Sequence, residues 1–426
     1  MKEDFLHAIW EQQLFQKGSL LLAGKDEVKV IKTGFRNYDS GPDFSQAKII
    51  LGDLEWIGSV EIHVKSSEWN THNHQSDVAY QSVILHVVWE KDLDIFRKDG
   101  TVVPTLEIKD LVQLQVVLRY RSLVQNEKKK ISCAYFLPDI QPFVLVGMQE
   151  RVLVERLERK GFEILERFES NKKDWLETFF QTIAWCLGLK INAEPMLILS
   201  QSVPVKVLAA QGWKTESLAA IFLGLGGFLT STNGPAGEKL KADYDFISQK
   251  YGLVKPQILW KMFRIRPGSF PIQRILLLAV VINNLSSWFG LLTEAESPAE
   301  FFKQIEKSSK PEILQSYLKE SGYQITGFGI SDFIRENLII NVFAPFLTAL
   351  GLYQNQPLWI EKAIDWLNQR PAEENSITRF WKNENIEIKT AGQSQALTEL
   401  FNNFCLPKKC MSCQIGTKIL KTETLV

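Results

Sequence analysis

Two stretches decide the reading of this chain: Gly41-Pro42-Asp43-Phe44 and, about one hairpin later, Gly58-Ser59-Val60-Glu61-Ile62-His63-Val64-Lys65. Alternate side chains of a strand share a face, so Glu61, His63 and Lys65 project together while Val60, Ile62 and Val64 turn to the core. If Asp43 is carried on the neighbouring strand, two carboxylates can hold a divalent cation beside a basic group suited to phosphoryl chemistry. Each residue alone has an ordinary account. Ser-Gly-Pro-Asp is turn chemistry, and Glu61 alone fits a solvated strand, so it is the combination that carries the functional reading.

Working outward, Phe5, Ile9, Trp10 and Leu14 recur at helical spacing and predict a helix from Asp4 to Phe15. Strands are predicted at Val28 to Thr33, Ala47 to Leu51 and Trp56 to Lys65, the last two joined as an antiparallel hairpin by Gly52-Asp53. A brief helix, His74 to Gln81, then precedes an apolar strand, Val83 to Trp89. From about Pro138 the pattern becomes helical, beginning with an amphipathic helix over Glu150 to Phe168. Further helices are expected at Trp175 to Leu187, Thr215 to Leu229, Ile272 to Leu285, Pro298 to Glu306, Glu336 to Leu350 and Leu358 to Asn368. The expected class is α+β: an N-terminal αβββαβ domain over 1–125, a mainly helical domain over 126–400 and a cysteine-rich tail over 401–426. The Lys128-Lys129-Lys130 run is expected to mark an exposed connection near the first boundary.

At 426 residues the chain exceeds one ordinary core, and 45% hydrophobic with 23% charged residues is a globular composition. Lys+Arg and Asp+Glu both number 49, so no global basic field recruits nucleic acid or anionic membrane, and any such contact must be local. The acidic residues Glu3 and Asp4 do not suit a secretory signal. The longest apolar run, Ile275 to Ile282, falls far below the roughly 20 residues that span a bilayer. Five cysteines fit a reducing compartment. A cytoplasmic protein without membrane attachment is expected.

Three further constellations stand out. His72-Asn73-His74, with Asp77 nearby, suits a transition metal, and a β-rich fold in which His72 and His74 bind that metal while Asp43 is idle is the competing picture. Trp69 and Tyr80 are expected to pack around this cluster. Cys405-x4-Cys410-x2-Cys413 has the spacing of a partial Zn²⁺ or iron–sulfur site, with Cys133 a candidate for the fourth ligand and Cys186 expected to be buried and inert. Arg264, Arg266 and Arg274 flank Pro267-Gly268-Ser269 before an apolar helix; guanidinium forks suit the phosphates of nucleic acid, and pairing with acids on neighbouring helices is the alternative.

Pro-Asp, one hairpin, then Glu-x-His-x-Lys within a helix, three strands, helix, strand order resembles the PD-(D/E)xK nuclease superfamily, and the likeness covers the first quarter of the chain. That resemblance implies Mg²⁺ or Mn²⁺ held by Asp43 and Glu61, with His63 or Lys65 orienting the attacking water. The chain departs from the pattern at His63, which occupies the position of that family's lysine; Lys65 lies two residues further on the same face. A second set of blocks spreads over nearly the whole length: Asn37 to Phe44, Gly58 to His63, Trp69-x2-His72-x-His74, Ile84 to Val88, Arg266-Pro267 to Arg274, Asn341 to Pro345 and the terminal cysteines. Together they resemble the bacterial domain-of-unknown-function family 2851, which implies family membership and no particular activity. The expectation is a metal-dependent nuclease, with a non-enzymatic adaptor for nucleic acid or protein as the alternative.

Overall fold

The computed structural model describes the chain apart from residues 23–25, 126–129, 231–233, 306–311, 324–329 and 423–426, so Lys128 and Lys129 lie outside the described residues. The protein is α+β, a mixed sheet of seven strands followed by a large helical region. It divides into two units: 1–150 with 379–386 and 397–426, and 151–378 with 387–396. The cysteine-bearing tail thus belongs to the first unit instead of standing apart, and the first unit extends beyond residue 125.

The first unit opens with helix α1 (Glu3–Glu11), which buries Phe5, Leu6, Ile9 and Trp10. It stops short of Phe15 because Gln13 adopts a left-handed φ of 49°, which turns Phe15 back to stack on Trp10 at 5.6 Å. The strands are β1 (Ser19–Leu21), β2 (Glu27–Lys32), β3 (Phe35–Arg36), β4 (Phe44–Leu51), β5 (Leu54–Lys65), β6 (Val83–Glu90) and β7 (Thr105–Glu107). Their order is β1-β2-β4-β5-β6-β7, with β3 paired to β4. Pairing is antiparallel as far as β5, and parallel from β5 to β6 and from β6 to β7. Leu51 faces Leu54 across the Gly52-Asp53 turn.

Val83 to Val88 are all buried, as befits an interior parallel strand covered on both faces. Val60, Ile62, Leu85 and Val87 are essentially excluded from solvent, and each such side chain contributes about 1.5–3 kcal/mol by leaving water. The connection from β5 to β6 differs from the expected helix. It holds a single helical turn, α2 (Glu68–Thr71), and two 3₁₀ turns, His74–Ser76 and Val78–Ser82. Asn73 interrupts helical winding with a φ of 61°, and the Asp77 carboxylate caps the second turn by accepting the Ala79 N–H at 2.9 Å. Helix α3 (Leu114–Gln125) closes the sheet region, and α4 (Pro142–Ser170) follows.

The second unit is helical. Trp175–Leu187 buries Phe179, Phe180 and Ile183, and Phe179 meets Phe346 at 4.8 Å between ring centres. Two helical runs, Pro271–Glu294 and Asp332–Gln354, are long and apolar enough to cross a membrane by length and composition alone, which the longest apolar run does not reveal. Within the protein, 56% and 72% of their apolar windows are buried, the pattern of core helices.

Gly58 sits where β5 approaches the start of β6. A Cβ there would lie 2.4 Å from Ile84 Cγ2 and 2.7 Å from the Ser82 carbonyl oxygen. Because one neighbour is backbone, Gly58→Ala is expected to cost about 1–3 kcal/mol, read as a lowered denaturant midpoint of the whole chain. An unchanged midpoint would show that the β5–β6 pair can shift apart freely.

Candidate metal centre

The Asn37–Asp43 loop is closed by Asn37, whose amide donates to the Ser40 and Pro42 carbonyls at 3.2 Å and whose N–H donates to the Asp43 carbonyl at 2.7 Å. This delivers Asp43 to the start of β4, opposite Glu61 on β5. The two residues brace each other reciprocally: the Asp43 N–H donates to Glu61 Oε2 at 3.1 Å, and the Ile62 N–H donates to Asp43 Oδ2 at 2.9 Å. The carboxylates therefore come from adjacent strands and occupy one neighbourhood. Lys65 is elsewhere: it is exposed at the end of β5 across from Glu90, and its N–H, like that of Val64, goes to Glu68 Oε2.

Around this pair stand all five histidines of the chain. His74 Nε2 lies 3.2 Å and His63 Nε2 3.6 Å from Glu61 Oε1, and His7 Nε2 lies 3.1 Å from Asp43 Oδ2. His63 Nε2 is 3.1 Å from His72 Nδ1, and His63, His72 and His74 each offer a ring nitrogen within 4.8 Å of the others. On its far side His63 Nδ1 meets His86 Nε2 at 2.8 Å. That contact suits an Nδ1–H donated to His86, which leaves the His63 Nε2 lone pair facing the cluster. His7 Nε2 and His74 Nε2 are buried and make no hydrogen bond despite these close oxygens. Nitrogen and oxygen atoms that converge without hydrogen-bond alignment have the arrangement of ligands aimed at a common point. Trp69, buried and edge-on to His74 with ring centres 5.4 Å apart, and Tyr80, stacked on His74 with ring centres 3.7 Å apart, wall the cluster.

Burial, and next the Asp43 charge, raise the Glu61 carboxyl to about 9, so in the metal-free protein it holds its proton at neutral pH. Burial, followed by the other imidazoles, lowers His63 to about 3; burial and then His72 lower His74; burial and then His63 hold His86 well below the usual histidine range. Neutral imidazoles are the ligating form. Two carboxylates and three imidazoles suit Mn²⁺, Zn²⁺ or a related transition metal better than Mg²⁺, which prefers oxygen ligands and water.

Two members, Glu3 and His7, escape a reading confined to the strands. They are four residues apart and so share a face of α1, beside the apolar set that packs on the sheet. Burial raises the Glu3 carboxyl, with His7, Asp43, Glu68 and His72 as its charged neighbours. Arg36 donates to His7 Nδ1 at 3.1 Å, which directs the other ring nitrogen toward Asp43. The i,i+4 pair of an acid and a histidine was the available signal.

The other singled-out residues separate. Arg264 and Arg266 are exposed, Arg264 over the Phe263 ring at 5.5 Å, whereas Arg274 is buried in Pro271–Val281, a helix buried along its whole length. The three arginines therefore do not form one surface. Cys133, Cys405, Cys410 and Cys413 line one small cavity, and Cys186 is buried in the second unit with its Sγ 2.7 Å from Asn337 Oδ1.

Fold and site together define an α+β protein with a carboxylate–imidazole cluster between α1 and strands β4, β5 and β6. The chain belongs to the family described as "Protein of unknown function (DUF2851)", whose model matches residues 3–376. No curated protein and no solved structure matches it.

A metal held by Glu61 must displace its proton, so Mn²⁺ or Zn²⁺ affinity is expected to rise by up to about tenfold per pH unit from 6 to 9 and to level above that. Titration calorimetry at several pH values reads this. A pH-independent affinity would remove Glu61 from the ligand set. His86→Ala, which frees the His63 ring, is expected to weaken binding about 10–100-fold.

Proposed function

We propose that the first unit is a metal-dependent phosphodiesterase acting on nucleic acid. The observation that supports this reading is the cross-strand pair Asp43 and Glu61 with three imidazole nitrogens gathered beside it. The nuclease resemblance is supported by the acids' places, Glu61 on β5 and Asp43 at the start of the neighbouring β4; β1 and β3 are additional to its element order, and a single turn, α2, stands where it has a helix.

Asp43, Glu61, His63, His72 and His74 would hold the ion. When bound, it supplies Lewis acidity toward a phosphoryl oxygen and a more acidic water. The protein supplies the rest. Ile62 N–H fixes the Asp43 carboxylate, and Asp43 N–H fixes that of Glu61, so neither side chain needs to reorganise. His7, braced by Arg36, stands beside Asp43 as the group placed to donate to an anionic oxygen. Trp69 and Tyr80 exclude water from one side of the imidazoles and limit their rotation. His63 serves as a ligand in this arrangement, in place of the lysine of the resembling pattern.

The test is hydrolysis of single- and double-stranded DNA and RNA by the full-length protein with Mn²⁺, Zn²⁺ or Mg²⁺. Asp43→Ala and Glu61→Ala are each expected to lower the rate more than about 100-fold, exceeding the usual effect of losing an outer-shell partner. Asp43→Ala should lower stability by only about 1 kcal/mol, from the lost Ile62 bond. Full activity in both variants would end the proposal. Metal binding without hydrolysis of any substrate would favour the adaptor.

A further inference from the structure

Four of the five cysteines, Cys133, Cys405, Cys410 and Cys413, belong to the first unit and converge on a cavity of about 20 Å³ that Ser132, Phe404 and Gly416 complete. Such a volume has room for about one atom-sized guest, since a water needs about 10–15 Å³. The thiols reach it from two distant parts of the chain. Cys133 precedes the turn Ala134–Asp139; Cys405 ends the wide helical turn Phe401–Cys405; Cys410 opens the turn Cys410–Ser412; and Cys413 caps the helix Gln414–Lys421.

The backbone there is folded to fit. Lys408 takes a left-handed φ of 58° and its ammonium reaches Ser132 Oγ, tying the two segments beside the thiols. A Cβ on Gly416 would lie 2.0 Å from the Cys410 carbonyl oxygen, so this position admits only glycine without displacing the Cys410 turn. Buried cysteine often serves as a small apolar residue. Against that account, close packing fills such space with side chains, whereas here four cysteines from two segments line a void. As bare thiols they are also costly to ionise: burial, and then neighbouring thiols, push Cys133 and Cys405 far up and Cys410 up to about 11. A cation among them reverses that balance.

We propose that Cys133, Cys405, Cys410 and Cys413 form a four-thiolate metal centre that clips the C-terminal segment onto the first unit. The cavity favours a single ion, Zn²⁺ in tetrahedral coordination, and iron is the other occupant of the same donor chemistry. On binding, each thiol loses its proton to solvent and no electron is transferred. The centre also supports the N-terminal site. The Cys410–Ser412 turn packs on α1, Asp4 is a charged neighbour of Cys410 and a hydrogen-bond partner of Tyr120, and Phe5 stacks on Tyr120 at 4.2 Å. Helix α1 is the element that carries Glu3 and His7. This second consequence rests on the reading of the N-terminal site; the metal centre does not.

The experiment uses the full chain purified without oxygen, with elemental analysis, acid-labile sulfide and an absorption spectrum, followed by replacement of the native metal with Co²⁺. One zinc per chain at the thiols, or iron with its spectrum, supports the centre and identifies its occupant. The Co²⁺ protein should show an intense thiolate-to-cobalt charge-transfer band that Cys133→Ser and Cys410→Ser abolish and Asp43→Ala leaves intact, which separates this site from the histidine cluster. Should the serine variants fail to fold, thiol labelling of the unsubstituted chain decides: four cysteines should react only after chelation. Neither zinc nor iron, with no cobalt–thiolate band, would overturn the proposal whatever the fate of the hydrolase reading.

Discussion

The first unit depends on the reciprocal brace between β4 and β5, in which each acid's carboxylate accepts an N–H from the other strand. A carboxylate at a strand margin is ordinarily free to swing. Here Glu61 gives Oε2 to backbone and turns Oε1 to His63 and His74, while Asp43 Oδ2 accepts the Ile62 N–H and also faces His7. The arrangement holds two like charges near one another, and burial with that repulsion keeps Glu61 protonated without metal. A cation there, as the proposed function requires, would have to displace that proton.

Much of this geometry was legible in the residues. The alternation of Glu61, His63 and Lys65 against Val60, Ile62 and Val64, with a two-residue Gly52-Asp53 turn, specifies a hairpin with Leu51 opposite Leu54; continued unbroken, that register would bring Asp43 opposite Ile62, and a bulge between Phe44 and Ala47, where Gln46 takes a φ of 54°, shifts it opposite Glu61. The limits of periodicity show at Lys65: it shares a face with Glu61, but the strand leaves the covered part of the sheet before reaching it. The β5–β6 connection was less readable, because Asn73 and the Asp77 cap break a polar segment into short turns that carry no apolar period. His7 and Glu3 enter the site only through packing of α1 on β5, a long-range contact that no local pattern encodes. Cys133 is a similar case. The sequence offers it as a candidate beside the tail cysteines and sets Cys186 aside, but that it lines the same cavity as they do follows only from the return of the tail.

The imidazole cluster also explains an oddity of composition. A chain of 426 residues has only five histidines, and all of them meet within one site. His63, His74 and His86, held neutral by burial and by neighbouring imidazoles, are poor proton carriers near neutral pH, but neutral imidazole is the ligating form. His86 Nδ1 is buried without a hydrogen-bond partner among the described residues, and its Nε2 meets another imidazole, so the orientation of His63 is set by a chain of rings running into the sheet.

The division of the chain gives synthesis an order. Residues 3–86, which hold every histidine, leave the ribosome before the helical unit, whereas 397–426, which complete the same unit and carry three of its cavity thiols, leave after it. At about 5–20 residues per second, the stretch between them delays completion by roughly 15–60 s. Throughout that interval the nascent sheet stands without its terminal helix while the inserted helical unit emerges and folds. An N-terminal fragment released by premature termination would carry the imidazoles and both carboxylates yet expose the apolar surface against which Ile415, Ile419 and Leu420 are buried in the whole chain.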